Sequence, residues 1–373
     1  MRTQLSDFEP GARQDCHNQK RLDHRIGPQF APLRAAQATF AMFDGTHLID
    51  RHGRVHDSLR ISVTDRCNIR CFYCMPEIPE HYQPRTDILT FGEIERVVRR
   101  AAAAGVRKLR FTGGEPLIRK DLPVLLRRVA DIPGIDEVAL TTNGVLLAGQ
   151  ATGLYAAGVR RINVHLDTLD AIRYRTITRR DELSRVMAGL GAARDAGLSI
   201  KINAVMVKGF SEPDLPALAR FGRENGIEVR FIEFMPLDAC GLWEAGKVLS
   251  MDEMLQILSE DVGPLVPVLM ADSRAPALEY RFADGIGTVG FVASVSKPFC
   301  GNCNRLRLTA DGKLRYCLFA IEETDLRTIL RQAGGDEDID SAIRETVESK
   351  WAGHQIQPER LVPPPRKMCA IGG

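Results

Sequence analysis

Residues 59–74 read LRISVTDRCNIRCFYC, and this stretch decides the fold. Its first part, residues 59–64, predicts a β-strand, because Ile, Val and Thr favour extended backbone. Its second part places Cys67, Cys71 and Cys74 directly after that strand. Because chemistry in a parallel α/β fold lies at the carboxyl ends of the strands, the segment predicts an α/β protein with a reactive loop after its first strand.

The spacing Cys67-x3-Cys71-x2-Cys74 indicates a metal centre. Three thiolates on one short loop can hold three corners of a [4Fe–4S] cube and leave the fourth iron without a protein ligand. Structural zinc is the main alternative, but it normally takes four ligands, and no nearby fourth ligand completes this loop. The spacing therefore favours a cluster with one open iron.

A regular alternation of strands and helices extends downstream of this loop. Six β-rich runs predict strands over residues 59–64, 108–112, 138–142, 161–166, 200–207 and 229–234. Helical stretches between them include residues 93–104, 183–196 and 215–224. Since the runs are mostly continuous apolar sequence, we predict a parallel sheet with right-handed crossovers and helices on its outer face, a partial TIM-type (βα)6 barrel.

The rhythm changes after about residue 236 to shorter strands joined by tight turns. These strands are predicted over residues 280–282, 288–292, 304–309 and 313–316, with helical sequence from about residue 322 to 352. The chain is therefore predicted to have three parts: a loose polar extension over residues 1–55, a barrel with the first cysteine loop over 56–236, and a smaller α+β region over 237–373.

A second cysteine triplet, Cys300-x2-Cys303-x13-Cys317, lies in this C-terminal region. The turn at residues 311–312 is predicted to bring Cys317 back beside the strand that follows Cys303. Three ligands again leave one metal position open, although a zinc knuckle completed by a remote cysteine or histidine is an alternative. Arg305 and Arg307 share one face of the intervening strand and form a guanidinium pair suited to phosphate oxygens or a purine edge.

Composition gives no support to several other classes of protein. A formal net charge of +2 over 373 residues gives no support for a nucleic-acid partner and weighs against a zinc-dependent nucleic-acid-binding module. No apolar run approaches the roughly 18 residues of a membrane span, and no secretory signal is visible. Nine cysteines, six of them in the two triplets, favour metal ligation over disulfides. We therefore expect a cytoplasmic enzyme without a membrane partner.

Two motifs resemble the radical S-adenosylmethionine (SAM) superfamily: the three-cysteine loop with Tyr73 before its last cysteine, and the Gly-Gly-Glu-Pro sequence at residues 113–116. Further segments narrow the resemblance to the GTP 3′,8-cyclase family within it. They are LRISVTDRC at 59–67, TTNG at 141–144, KIN at 201–203, FIEFMP at 231–236, the second triplet with its Arg-Leu-Arg, and the terminal Gly-Gly.

The resemblance implies a partial TIM-type (βα)6 radical SAM barrel whose mouth is closed by the C-terminal α+β region that carries the second cluster. It also implies two [4Fe–4S] clusters, SAM as a cofactor and GTP as the substrate. A 5′-deoxyadenosyl radical would abstract hydrogen from C3′ of GTP to start its cyclisation, the first step of molybdenum cofactor biosynthesis. Implied partners are an electron donor and, downstream, cyclic pyranopterin monophosphate synthase, and the family is compatible with a homodimer. A radical SAM enzyme of another kind, such as a peptide-modifying maturase, is the alternative.

The resemblance also implies roles for individual residues. The first cluster would be held by Cys67, Cys71 and Cys74, and the second by Cys300, Cys303 and Cys317. The SAM site would be lined by Tyr73, Gly114, His165 and Met235, although some family members carry Ser at the position of His165. The GTP site would use Arg60, Arg110, Thr141, Lys201, Arg305 and Arg307, and the terminal Gly372 and Gly373 would assist catalysis. Neither motif nor resemblance implies a role for Cys16, Cys240 or Cys369.

Overall fold

The computed structural model describes residues 47–78, 82–238, 241–269, 272, 274–332, 334–354 and 366–372. Its strands are β1 Ser58–Ser62, β2 Lys108–Thr112, β3 Glu137–Thr142, β4 Arg161–His165, β5 Ser199–Met206, β6 Glu228–Glu233, β7 Leu265–Pro267, β8 Leu278–Phe282, β9 Thr288–Val292, β10 Arg305–Leu308, β11 Lys313–Arg315 and β12 Thr324–Asp325. Its helices are α1 Phe91–Ala103, α2 Leu122–Ala130, α3 Ala151–Ala156, α4 Ala171–Thr178, α5 Leu183–Asp195, α6 Asp214–Asn225, α7 Met251–Asp261, α8 Leu326–Arg331, α9 Asp336–Glu348 and α10 Met368–Ile371.

All these strands belong to one sheet, in the order β12-β11-β10-β1-β2-β3-β4-β5-β6-β9-β8-β7. Strands β1 to β6 are consecutive parallel neighbours, with helical crossovers between them. The predicted partial (βα)6 barrel is confirmed. The cysteine loop after β1 therefore lies at the edge where the carboxyl ends of six strands meet.

The C-terminal region attaches to both ends of this barrel. Strand β10 pairs in parallel with β1, and β9 pairs in parallel with β6. The turn at residues 311–312 joins β10 and β11 as the expected antiparallel hairpin. Because β10 lies directly beside β1, the two cysteine triplets are carried by adjacent strands although more than two hundred residues separate them in the chain.

The barrel strands alternate in character, which corrects the interpretation of them as mostly continuous apolar runs. On β1, Leu59 and Ile61 are buried under the outer helices, whereas Arg60 between them lines a central cavity. The other strands repeat this pattern. Inward positions are held by Lys108, Arg110, Glu137, Thr141, Arg161, Asn163, His165, Lys201, Asn203 and Arg230. A closed barrel of this type fills its interior with branched apolar side chains, so a polar interior indicates a ligand cavity instead.

The outer helices cover the apolar face of the sheet. Helix α1 begins at a capping box in which the Thr90 hydroxyl accepts from the Glu93 amide and the Glu93 carboxylate accepts from the Thr90 amide. Its buried stripe, formed by Ile94, Val97 and Val98, packs into the main core. Within the described residues, no helix has the length and apolar character needed to cross a bilayer.

Residues 47–56, at the end of the predicted N-terminal extension, pack against the C-terminal region. Arg54 is 8% exposed, and its guanidinium donates to the carbonyl oxygens of Cys300, Trp351 and Ala352 at 2.6–2.9 Å. Asp50 binds Arg54 Nε at 2.6 Å and holds this guanidinium in place. The segment before the barrel therefore supports the loop of the second triplet. Residues 1–46, Cys16 among them, Cys240 and Gly373 lie outside the described residues.

Candidate active site

The first cysteine loop lies at the mouth of the barrel and lines a cavity of about 560 Å³. Burial raises the pKa of the Cys67 thiol to about 12 and holds the pKa of Cys74 well above its usual range. Cys71 is 6% exposed. Thiols with raised pKa values, such as those of Cys67 and Cys74, are neutral without a metal and give up their protons when they bind iron, which is the coupling expected of a metal-thiolate centre.

The Gly-Gly-Glu-Pro turn packs directly on this loop. The amide of Gly114 donates to the Thr64 carbonyl at 2.7 Å, and a Cβ placed on Gly114 would lie 2.3 Å from the Arg66 carbonyl oxygen. A Cβ on Gly113 would lie 2.5 Å from the Thr64 carbonyl oxygen. These glycines are thus required first by the backbone of the cysteine loop, and not only by approach to a ligand.

Glu115 in the same motif anchors the loop after β3. It is fully buried and accepts from the Thr142 hydroxyl at 2.7 Å and from the Asn143 amide at 2.7 Å, while burial raises its pKa to about 7. The Asn143 side chain in turn donates to Cys67 Sγ at 3.7 Å and to Asn68 Oδ1 at 2.7 Å. The TTNG motif therefore supports the first triplet through Asn143, a role that sequence analysis missed.

Tyr73, His165 and Asp167 form a hydrogen-bonded group beside the first triplet. The Tyr73 hydroxyl lies 2.5 Å from His165 Nε2 and also bonds Asp167, and His165 Nε2 lies 3.0 Å from Asp167 Oδ2. His165 thus has a structural partner and at the same time lines the cavity, as do Gly114 and Met235. The structure brings together the four residues assigned to the SAM site.

The second triplet occupies a different electrostatic environment. Burial raises the pKa of the Cys303 thiol, but the opposing effects of the Arg305 and Lys350 charges and of hydrogen bonds from Arg305 are together larger. The resulting pKa is about 6. Lys350 Nζ lies 3.4 Å and Arg305 Nη2 3.5 Å from Cys303 Sγ. Backbone amides of residues 354 and 319 donate to Cys300 Sγ and Cys317 Sγ at 3.5 and 3.4 Å. Each of the three sulfurs therefore accepts at least one hydrogen bond, while burial raises the pKa of Cys317.

The two triplets differ from a site for a single ion. Within the described part of the chain, no three His, Cys, Asp or Glu side chains converge where one metal ion could be held. A [4Fe–4S] cluster does not require its cysteines to converge on one point, because each thiolate binds its own iron. The donor set, three cysteine thiols in each of two regions, fits such clusters.

A row of arginines crosses the cavity between the two triplets. Arg307, Arg60 and Arg110 are register partners on the adjacent strands β10, β1 and β2. Burial, together with neighbouring arginines, holds the pKa of Arg60 well below its usual range, and burial lowers the pKa of Arg307 to about 10 and that of Arg110 to about 9. Buried like charges of this kind are costly without a counter-charge, so the row is suited to an anionic ligand.

The other residues assigned to the GTP site line the same cavity. Lys201 forms ion pairs with Glu228 and, at 3.6 Å, with Glu279, so it is less available to a ligand than the arginine row. Thr141 and Arg305 complete the set. Further cations that line the cavity, and that sequence analysis missed, are Lys108, Arg161, Arg230 and Arg274. The first three occupy inward positions of the strands, so strict alternation was the signal that could have identified them.

The C-terminal segment enters this cavity. The Gly372 carbonyl accepts from Arg307 Nη1 at 2.6 Å, and a Cβ on Gly372 would lie 2.8 Å from Thr112 Cγ2. Met368 and Cys369 line the cavity, and the Cys369 amide donates to the Cys74 sulfur. Cys369, which had no assigned role, thus lies beside the first triplet. Gly373 is outside the described residues.

Comparison with known sequences matches both halves of the chain to protein families. Residues 61–222 match the family described as the radical SAM superfamily, and residues 227–356 match the one described as Molybdenum Cofactor Synthesis C. The chain is 49% identical to the GTP 3′,8-cyclase of Rhodopirellula baltica, over 91% of this chain and 96% of that protein. It is 48% identical to that of Pelotomaculum thermopropionicum, over 82% and 95%, and 45% identical to that of Mycolicibacterium smegmatis, over 91% and 95%.

Solved structures support the fold. SuiB of Streptococcus suis, in its structure bound to S-adenosylmethionine, matches 79% of this chain and 69% of its own with a TM-score of 0.55 at 15% identity. A similarity at this level of identity concerns the arrangement of strands and helices and not the substrate.

Proposed function

The chain belongs to the GTP 3′,8-cyclase family of radical SAM enzymes, and from this premise we propose which of its residues carry out the reaction. The enzyme converts GTP to (8S)-3′,8-cyclo-7,8-dihydroguanosine 5′-triphosphate, the first step of molybdenum cofactor biosynthesis. Its cofactors are SAM and two [4Fe–4S] clusters, and SAM together with the first cluster would supply the 5′-deoxyadenosyl radical that takes hydrogen from C3′ of GTP.

The arginine row is the observation that carries the substrate assignment. Arg60, Arg110 and Arg307 face one cavity, and the structure gives none of the three a carboxylate partner among the described residues. A triphosphate carries the several negative charges that would compensate them, and guanidinium groups bind phosphate oxygens in pairs. Arg305, on the same strand as Arg307, extends this surface towards the second triplet. The row would therefore fix one end of GTP.

The first triplet and its surroundings would hold the SAM end of the cavity. Cys67, Cys71 and Cys74 would bind the first cluster, and the hydrogen bonds of Tyr73 to His165 and Asp167 would keep that side of the cavity rigid. Gly114, whose backbone touches the cysteine loop, and Met235 would complete the contact surface for SAM. These residues would hold the two reactants in one orientation, which lowers the entropic part of the activation barrier.

The second triplet would hold the other end of the substrate. Cys300, Cys303 and Cys317 would bind the second cluster, and the resemblance to the family implies that the guanine of GTP lies against it. The C-terminal Gly372, bonded to Arg307, would pack against the bound substrate together with Gly373 and help to exclude water.

The proposal also covers the compartment, the oligomeric state and the partner proteins of the enzyme. We propose that the enzyme works in the cytoplasm, receives electrons from a separate donor protein, and forms a homodimer. Its product would be consumed by cyclic pyranopterin monophosphate synthase.

Isotope transfer would test the function directly. With anaerobically reconstituted enzyme, SAM and GTP deuterated at C3′, we expect deuterium in 5′-deoxyadenosine and a cyclised product of GTP by mass spectrometry. Arg60→Met should weaken this transfer at limiting GTP, whereas Arg99→Met, which removes an exposed arginine paired with Glu95 on helix α1, should not. Deuterium-free 5′-deoxyadenosine from the wild-type enzyme would contradict the assigned reaction.

A further inference from the structure

Lys350 is a buried lysine beside the second triplet, and neither the reaction nor the motifs use it. It lies two residues after helix α9 and is 3% exposed. Its Nζ lies 2.8 Å from the Tyr316 carbonyl oxygen, 2.9 Å from the Arg305 carbonyl oxygen and 3.4 Å from Cys303 Sγ. An ammonium group has three donors and no acceptor, so these contacts use all of its hydrogens.

These contacts join the two halves of the triplet. Arg305 follows Cys303 by two residues at the start of β10, and Tyr316 immediately precedes Cys317 at the end of β11. A single side chain therefore connects the loop that carries Cys303 to the strand end that carries Cys317. Its removal would free both carbonyl oxygens and the sulfur at once.

The charge of Lys350 lacks a carboxylate partner. Among the described residues, its contacts are two neutral carbonyl groups and one sulfur. Burying an ammonium group costs several kcal/mol unless an opposite charge is near. Cys303 supplies that charge when it is a thiolate, which is the form that binds iron. The arrangement is therefore complete when the triplet is loaded.

We propose that Lys350 is a positioning residue and counter-charge for the second cluster, which both holds Cys303 and Cys317 in place and raises the reduction potential of the cluster they bind. The inference rests on the proposed assignment of the second triplet to a cluster. A positive charge close to a cluster favours its reduced, more negative form, whereas the first cluster has no contact with Lys350 and should not respond.

Redox titration of both clusters tests this role. Lys350→Met keeps the length of the side chain and removes its charge, and Lys350→Arg keeps the charge. Lys313→Met serves as the matched control. Lys313 lies in β11 of the β10–β11 hairpin and is paired with the surface carboxylate of Asp325. Each reconstituted protein is assayed for iron and sulfide, and the two midpoint potentials are measured by electron paramagnetic resonance.

In Lys350→Met we expect the equilibrium constant for reduction of the second cluster to fall about tenfold, which lowers its midpoint potential by 59 mV for one electron. The midpoint potential of the first cluster should not change. Selective loss of the second cluster with the first retained would equally support the holding role. Lys350→Arg should restore most of either effect, and Lys313→Met should show neither. Two unchanged clusters, or loss of both together, would overturn the proposal. Wild-type protein with iron for one cluster only would instead refute the assignment of the second triplet.

Discussion

The two cysteine triplets hold the same number of thiols, and they differ most in the charges around Cys303. Around the first triplet, burial raises the pKa of Cys67 and Cys74, the amide of Asn143 donates to Cys67 Sγ, and His165 bonds Cys71. Around the second, the cations Arg305 and Lys350 both contact Cys303 and lower its pKa to about 6.

This difference suits the two tasks. A cluster with fewer cations at its sulfurs has a lower reduction potential and is a stronger reductant, as electron transfer to SAM requires. A cluster surrounded by cations is easier to reduce, and the same cations attract an anionic substrate. We therefore expect this fold to separate radical generation from substrate binding in part through the cations placed at Cys303.

Removal of one ligand from each triplet should give the largest contrast. We expect Cys71→Ser to reduce SAM cleavage to background, because the first cluster can no longer donate an electron to SAM. Cys303→Ser should leave some uncoupled SAM cleavage but yield no cyclised GTP. Mass analysis of 5′-deoxyadenosine and of the GTP product, under anaerobic conditions, measures both. Equal loss of SAM cleavage in the two variants would remove the proposed division of labour.

The C-terminal tail connects the two sites, since it contacts Cys74 at one end and Arg307 at the other. Gly372 has a φ of 82°, and an added Cβ would lie 2.8 Å from Thr112 Cγ2. We expect Gly372→Ala, and deletion of residues 372–373, to lower kcat for cyclisation at least about tenfold. Iron content and GTP affinity should remain nearly intact.

The matched control for the tail is Gly246→Ala. Gly246 has ordinary space around it and lies outside the cavity lining, so this variant should retain full turnover. Full cyclisation by the truncated enzyme would show that the tail takes no part in the chemical step.

The arginines near the second triplet should affect GTP more than SAM. We expect Arg305→Ala and Arg307→Ala each to weaken GTP binding by about 1.5–3 kcal/mol, the contribution of one charge-assisted contact. SAM binding should change little. Equilibrium binding of each ligand to the reconstituted variants measures the split, with Arg99→Ala as a surface control. Unchanged GTP affinity would indicate that this strand face is not part of the substrate site.

Acid should affect stability and should have the smallest effect on turnover, through the N-terminal segment that supports the second triplet. Burial lowers the pKa of His56 to about 4, against a usual value near 6.5. The unfolded chain therefore binds a proton at His56 as the pH falls below 6.5, while the folded chain does so only near 4. Stability is full above pH 6.5 and is lost across this window, by about 3 kcal/mol in total.

Thermal unfolding of the apo-protein at pH 7.5 and pH 5 measures this loss. His56→Gln, which does not titrate, should show a smaller drop in melting temperature between the two pH values than the wild type. His52→Gln removes an exposed histidine of the same segment and should behave like the wild type. An equal drop in all three proteins would exclude His56 as the cause.

Local sequence was sufficient to predict a structural feature when a single short segment determines that feature. The cysteine spacings predicted two three-thiol centres, and the turn at residues 311–312 predicted the β10–β11 hairpin. Strand β2 was predicted at its observed bounds because its turn signals and β-rich run coincide. The inward cations Lys108, Arg161 and Arg230 were missed because the strands were interpreted as continuous apolar runs, and alternation is visible only when every second residue is compared.

Contacts between distant segments lay beyond this kind of analysis. The contacts of Arg54 with Cys300, and of Lys350 with Cys303, join residues that are 246 and 47 positions apart in the chain. No local pattern distinguishes a buried lysine near a sulfur from one on the surface, because the difference is created by the elements that pack around it.

The sequence by itself determined the chemistry: two groups of thiols, a strand-and-helix rhythm that brings strand ends together, and enough arginine for an anionic substrate. The tertiary structure decided how these parts are related. It placed β10 beside β1, which aligned Arg307, Arg60 and Arg110 in one row between the triplets. The physical reason is that side-chain chemistry belongs to each residue alone, whereas charge, burial and distance are properties of pairs that only the packed chain brings together.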